Sequence, residues 1–200
     1  MLTVEISKRK KEADDIISLE LVDPACGNLP PFSAGSHVDV VVSEGLVRQY
    51  SLCNSQQENH RYVIAVLRDP NSRGGSDGMH EHFIEGKTVR ISEPRNHFPL
   101  AHDADSVILI AGGIGITPIL CMANRLLHIG VPFEMHYCSR SKSKMAFLDD
   151  VKSGNLNDFT KLYFDDDPRS KFDAASAVGM PGKNKHLYVC GSIGFIENVL

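Results

Sequence analysis

The stretch 106–124, SVILIAGGIGITPILCMAN, carries no charged side chain, and it restricts the fold more than any other segment. Its length alone would permit a membrane crossing. Gly112, Gly113, Gly115 and Pro118 lie in its middle, however, and break a single helix into pieces. What remains is a continuous apolar run over 107–111, suited to a strand buried on both faces. A glycine turn follows, then a helix over 117–127 with apolar residues at Ile119, Leu120, Ala123, Leu126 and Leu127. Thr117 suits the N-cap of that helix and Pro118 its first position. Glycines at a strand-to-helix turn let backbone N–H groups approach an anion closely. The spacing is not G-x-G-x-x-G, and this segment alone leaves a ligand-free tight turn open.

Beyond that helix the same alternation continues. Strands are expected over 133–138, 161–164 and 186–190, with a helix over 145–151, which implies a parallel sheet with crossovers. The first hundred residues differ. Apolar or β-branched runs at 2–7, 16–22, 37–42, 46–52, 61–67 and 88–92 are separated by turn residues, the pattern of an antiparallel barrel. A short helix is expected over 77–85. Two domains follow from this change of rhythm, an all-β barrel over 1–102 and an α/β domain over 103–200.

Charge and cysteine content remove several function classes. Lys and Arg number 21 against 25 Asp and Glu, a net charge of −4, so the basic excess of a nucleic-acid binder is missing. The run Lys8-Arg9-Lys10-Lys11 precedes Glu12, Asp14 and Asp15 and reads as a solvated strand end and turn. Cys26, Cys53, Cys121, Cys138 and Cys190 show no C-x2-C or C-x4-C-x2-C spacing, so they read as thiols in a reducing cytoplasm. Residues 1–8 contain no apolar run of the kind that opens a signal sequence. His80 and His82, with His97, invite a metal reading, but residues two apart diverge on a helix, so a solvated pair is the expectation. Asp165-Asp166-Asp167-Pro168 reads as a charged turn, because the regular oxygen spacing of a calcium loop is missing.

Arg48-Gln49-Tyr50-Ser51-Leu52 ends the fourth expected strand. Alternation sends Arg48 and Tyr50 to one face and Gln49 and Ser51 to the other. A guanidinium can hold a phosphate through two hydrogen bonds, and a tyrosine can cover a flat ring. On its own, so short a pattern fits an ordinary half-exposed strand better.

Taken together, five blocks in order resemble the ferredoxin-reductase-type flavoproteins, in particular the phthalate dioxygenase reductase and vanillate demethylase reductase group. They are Arg48-Gln49-Tyr50-Ser51-Leu52-Cys53-Asn54, Arg73-Gly74-Gly75-Ser76, Glu93-Pro94-Arg95-Asn96-His97-Phe98-Pro99-Leu100, the segment 112–118, and Cys190-Gly191-Ser192. The resemblance implies a barrel that holds a flavin, FMN rather than FAD, and an α/β domain that holds NADH or NADPH. It implies that Arg48 binds the FMN phosphate with Gly74, Gly75 and Ser76. Gln49, Tyr50 and Ser51 would frame the ring and ribityl chain, with Ser51 near the reacting nitrogen, and Ala65, Val66 and Leu67 would line the other edge. Thr117 would reach the flavin edge. Gly113, Ile114 and Gly115 would admit the pyrophosphate, and Ser139 and Arg140 would contact the adenosine ribose. Ser141, Lys142, Ser143 and Lys144 follow that arginine, where NADH-selective relatives often carry an acid. Cys190 and Gly191 would wall the nicotinamide pocket without covalent chemistry.

Proteins of this group pass electrons through a [2Fe-2S] ferredoxin domain to an oxygenase. Residues 192–200 read as the first turns of a helix that relatives continue. The nucleotide domain is therefore expected to be incomplete, with the cluster lying beyond residue 200 or on a separate ferredoxin. A flavin- or nucleotide-binding module without turnover is the competing expectation.

Overall fold

The computed structural model describes residues 1–180 and 182–200, which form two compact units, Met1–Pro99 and Leu100–Leu200. In the first unit the strands are β1 (Leu2–Ala13), β2 (Ile16–Val22), β3 (Ser36–Ser43), β4 (Leu46–Ser51), β5 (Arg61–Leu67), β6 (Thr88–Ile91) and the two-residue β7 (Arg95–Asn96). They pair antiparallel in the order β4-β3-β6-β1-β2-β5, with β7 attached to β3. A Leu52–Ile64 bridge and a 2.9 Å bond from the Cys53 N–H to the Val63 carbonyl join the β4 end to β5. The sheet thereby closes on itself, which removes the open edges of an antiparallel sheet.

Alternation along the strands builds the core. Val4 and Ile6, Leu19 and Leu21, Val38 and Val40, Ile64 and Ile91 are all buried. Each such side chain contributes roughly 1.5–3 kcal/mol when fully withdrawn from water. Tyr62 is buried with them; its hydroxyl donates to the Pro30 carbonyl at 2.5 Å and its ring meets Phe32 edge-on at 5.5 Å. Arg61 ties β5 to Glu20 of β2 and to Glu58. The basic run at 8–11 lies inside β1 rather than at its end, because the strand continues to Ala13 and turns at Asp14 and Asp15, the latter at φ +62°. Between β5 and β6, α1 runs over Gly75–His82, two residues earlier than its apolar content suggested.

The second unit is a parallel sheet in the order β10-β9-β8-β11, with β8 at Ser106–Gly112, β9 at Phe133–Ser139, β10 at Thr160–Phe164 and β11 at Lys185–Cys190. Its helices are α2 (Ile116–Ile129), α3 (Leu148–Ser153), α4 (Ala174–Val178) and α5 (Ile193–Val199). The uncharged stretch 106–124 is thus β8, a 3-10 turn over Gly113–Gly115 and α2 as far as Asn124. Gly115 is the N-cap, so Thr117 and Pro118 occupy the second and third helical positions instead of the cap and the first. Proline is tolerated there because the first-turn N–H groups have no intrahelical acceptor. The helix expected over 145–151 starts only at Leu148, since Met145, Ala146 and Phe147 are buried in the approach to it and Phe147 adopts φ +56°. Among the described residues no helix is long and apolar enough to cross a membrane.

One face of this sheet carries Ile108 and Ile110 of β8, packed with Val199, Phe172, Ala174, Val178, Leu187, Val189 and Phe195. His136 lies on the same face, buried in β9, with Nδ1 2.9 Å from the Tyr163 hydroxyl and its ring edge-on to Phe172 at 5.9 Å. Glu134 Oε1 stands 2.9 Å from Nε2 but off the hydrogen-bond line, so Nε2 has no aligned partner. Lys161 bonds the same carboxylate at 2.6 Å. Burial holds His136 below its ordinary pKa of 6.5 despite the opposing pull of Glu134. The folded state therefore favours the neutral ring, and the unfolded state takes up its proton first as pH falls. Its contribution to stability is whole above pH 6.5 and is lost as pH drops through the lower folded value. Thermal melts between pH 8 and pH 5 are expected to show this acid loss, and His136→Gln should flatten it; an unchanged slope in the variant would exclude His136 as its source.

Candidate functional site

In the first unit the candidate site begins with β4. The register pairs Arg48 with Val40 and Tyr50 with Val38, while Gln49 and Ser51 oppose Asp39 and His37. Arg48 and Tyr50 therefore share one face and are half-buried, and Gln49 is exposed on the other. Burial pushes the Tyr50 phenol up to about 12 against the opposing charge of Arg48, so the ring is neutral at physiological pH. Arg48 Nη1 donates to the Val47 carbonyl at 2.9 Å, and no carboxylate pairs with the guanidinium among the described residues.

The start of α1 is fitted around this cation. A Cβ at Gly75 would stand 2.6 Å from Arg48 Nε and 3.0 Å from its Cγ, so glycine leaves room for the guanidinium to lie in this conformation along the first helical residue. Gly74 caps the helix at φ +83° and offers no side-chain acceptor to the first-turn N–H groups. The Ser76 hydroxyl accepts from the Asp69 N–H at 3.0 Å and folds the preceding loop back. Asp77, the first-turn acid, is engaged by Arg68 Nε at 2.8 Å. An unpaired guanidinium beside uncapped helical N–H groups is an anion-binding arrangement.

Ala65 and Val66 are core residues, 4% and 1% exposed, whereas Leu67 is 40% exposed, so of these three only Leu67 offers its side chain to solvent. His80 is not the solvated residue the sequence suggested: its Nε2 lies 3.0 Å from the Val66 carbonyl and pins α1 to β5, because α1 starts early enough to turn it inward. His82 is exposed. Among the described residues no group of three or more His, Cys, Asp and Glu is arranged around a common cation position.

In the second unit the strand ends of β8, β9 and β11 converge with the start of α2. A Cβ on Gly115 would fall 2.2 Å from the Cys190 carbonyl oxygen and 2.7 Å from the Gly191 nitrogen. Backbone packs on backbone there. Gly113, at φ +54° with nothing within 4 Å of its Cβ position, is the glycine of this turn whose surroundings are open to a ligand. Ile114 is half-buried. Thr117 is 7% exposed and its hydroxyl donates to the Ile114 carbonyl at 3.1 Å, which commits it to the turn. Cys190 is half-buried; burial raises its thiol above the ordinary range, the Gly191 N–H opposing, so it is a neutral wall rather than a thiolate nucleophile.

At the end of β9, Ser139 is buried and Arg140 exposed. The Asp165 N–H donates to the Ser139 carbonyl at 3.1 Å and the Asp166 N–H to the Arg140 carbonyl at 3.2 Å. The charged turn after β10 thus lies alongside Ser139 and Arg140, a neighbourhood the sequence reading missed. Lys142 and Lys144, in a 3-10 turn, therefore do not set the local charge alone.

No family model matches the chain. It is 48% identical over 200 residues to a vanillate O-demethylase oxidoreductase of Pseudomonas putida, covering 100% of this chain and 63% of that protein. It is 44% identical over 200 residues to the phthalate dioxygenase reductase of Burkholderia cepacia, covering 99% and 62%. A solved structure of phthalate dioxygenase reductase, described as modular for electron transfer from pyridine nucleotides to [2Fe-2S], superposes with a TM-score of 0.94 at 44% identity, over 99% of this chain and 62% of that one. The chain thus spans about three fifths of the length of these relatives.

The open position at Gly113 and the packed one at Gly115 respond differently to a methyl group. Gly113→Ala, which only strains a left-handed residue, should cost about 1 kcal/mol. Gly115→Ala forces backbone apart and should cost roughly 2–4 kcal/mol. Urea unfolding measures both, and a Gly115→Ala protein as stable as Gly113→Ala would contradict the packing described.

Proposed function

We propose that the chain is a member of the phthalate dioxygenase reductase and vanillate O-demethylase reductase family and forms the flavin- and nucleotide-binding part of an NAD(P)H-dependent electron-transfer reductase. Its likeness over 99% of its own length to 62% of phthalate dioxygenase reductase carries the reading. In this reading 1–102 is the FMN domain and 103–200 the NAD(P)H domain. FMN, when bound, supplies the chemistry the chain lacks, taking a hydride from the nicotinamide and releasing its electrons singly.

The residues fit a phosphorylated flavin. Arg48 is unpaired by any carboxylate and lies against Gly75, so it would hold the phosphate together with the first-turn N–H groups of α1 and the Ser76 region. Charge-assisted hydrogen bonds of this kind contribute roughly 1.5–3 kcal/mol each. Tyr50 would cover the ring while Gln49 and Ser51 offer polar groups, Ser51 nearest the reacting nitrogen. Leu67 would supply an apolar edge, with Ala65 and Val66 contributing backbone. On the nucleotide side Gly113 and Ile114 would meet the pyrophosphate, and Gly115 would seat the turn that presents them. Ser139 and Arg140 would meet the adenosine ribose, and neutral Cys190 with Gly191 would exclude water beside the nicotinamide. Thr117 would stiffen the turn between these contacts. The chain's task is placement: the exchanging atoms must come within roughly 3–3.5 Å.

We infer that the acceptor is a [2Fe-2S] centre, on further residues or on a separate ferredoxin, and that the terminal partner is an oxygenase in the cytoplasm. The test is the visible spectrum of FMN-loaded protein on anaerobic addition of NADH and, separately, NADPH. Loss of the yellow colour within seconds is expected with at least one of them. Protein that stays yellow with both is a passive binding module, and protein that retains no FMN overturns the flavin reading as well. Arg48→Ala should weaken FMN binding roughly 10–100-fold by titration with little change in melting temperature; unchanged affinity would exclude the phosphate role.

A further inference from the structure

Gly112 ends β8 and Gly191 directly follows the end of its neighbour, the edge strand β11, and neither faces open space. By alternation Gly112 lies on the same sheet face as Ile108 and Ile110, and Gly191 on the face of Leu187 and Val189. That face is covered by Phe195 of α5. A Cβ on Gly112 would stand 2.7 Å from the Phe195 ring, and one on Gly191 would stand 2.6 Å from the same ring and 3.4 Å from the Gly112 Cα. One aromatic ring therefore sits on both strand ends where they touch.

The ring is itself held. Phe195 stacks on Phe172 at 6.2 Å, and Phe172 meets Tyr163 edge-on at 5.2 Å. Ser192 caps α5 by accepting from the Phe195 N–H at 3.4 Å, so the helix carrying the ring begins directly after Gly191. Gly115 rests on the Cys190 carbonyl from the side of the turn. The Cys190–Gly191 peptide is thus fixed between the β8–α2 turn and an aromatic ring.

We propose that Phe195 is a positioning residue for the nicotinamide nucleotide: from beneath the sheet it sets the separation of the β8 and β11 ends and so the place of the Cys190–Gly191 wall. Gly112 and Gly191 are glycines because of this ring and not because a ligand approaches them. The inference rests on the reading that the cleft above these strand ends takes NAD(P)H. Phe195 touches no substrate in this account, and it acts through the peptide it supports.

A double-mutant cycle on the FMN-loaded chain tests it, with NADH binding followed by fluorescence and NADH oxidation followed with ferricyanide as acceptor. Phe195→Ala should raise the KM and Kd for NADH about tenfold, leave kcat within about twofold and leave FMN affinity unchanged. Phe195→Leu, which keeps most of the bulk, should recover most of the loss and guards against a variant that merely unfolds. Gly112→Ala should weaken NADH binding strongly beside Phe195 and far less in the Phe195→Ala background, because the ring it would strike is gone. Melting temperatures should follow the same cycle. Equal harm from Gly112→Ala in both backgrounds would overturn the proposal, since the glycine would then be making room for the nucleotide itself. So would wild-type KM in Phe195→Ala. Wild-type protein that yellows with FMN yet binds neither NADH nor NADPH would instead overturn the nucleotide reading beneath it.

Discussion

The contact of Gly115 with the Cys190 carbonyl is the constraint on which the second unit depends. With a Cβ position only 2.2 Å from that oxygen, two backbones meet at a distance no side chain permits. The contact joins a turn after the first strand of the sheet to the end of its last strand, elements more than seventy residues apart in the chain. It also fixes where α2 can begin, because Gly115 is at once the contact and the N-cap. The helix start, the thiol of Cys190 and the open position at Gly113 are consequences of one close approach. An uncharged stretch between 106 and 124 is what such an approach demands, since a charge in the turn would be buried against carbonyl oxygen.

That dependence explains which parts of the molecule could be read from sequence. Strands β2 and β5 are found where the apolar runs put them, because a half-buried strand writes its alternation into its own residues. The continuous run of β8 announces burial on both faces in the same local way. Helix starts are less local. Thr117 and Pro118 satisfy the rules for a cap and a first position, yet the helix begins at Ile116, because packing on Cys190 and Gly191 decides where the turn ends. The two-residue β7 and five-residue α4 carry too few residues for any periodicity to show.

The site residues divide along the same line. Arg48 and Tyr50 share a face simply because they are two apart on a strand, so that pairing is visible in three letters of sequence. The role of Gly75 as the surface against which Arg48 lies is not, because it relates residues on different elements. Asp165 and Asp166 are the stronger example. Nothing local connects them to Ser139 and Arg140; two backbone hydrogen bonds between parallel strand ends do. They alter the electrostatic picture, since exposed Arg140 and Lys142 are then answered by two exposed carboxylates. A basic end to β9 would favour a 2′-phosphate, whereas an acid there accepts from a ribose hydroxyl and repels the phosphate. With both signs present, the order Ser-Arg-Ser-Lys-Ser-Lys by itself carries no preference between the two nucleotides.

Glycine serves two different purposes in this chain, and separating them changes how the motif at 112–115 is understood. At Gly75 it admits a cation's side chain to the backbone, which concentrates positive charge where an anion can use it. At Gly112, Gly115 and Gly191 it admits protein: a phenyl ring for two of them and a carbonyl for the third. Within the 112–115 motif only Gly113 has open space over its Cβ position and a left-handed backbone, the combination that lets a ligand come close. A run of glycines that looks like one ligand-binding loop is therefore mostly a packing device with a single open position. Electrostatic placement in the barrel tolerates small shifts, because a guanidinium on a flexible stem can follow its anion. Backbone-on-backbone packing does not, so precision in the second unit must come from rigid contacts of the kind Phe195 and Gly115 make.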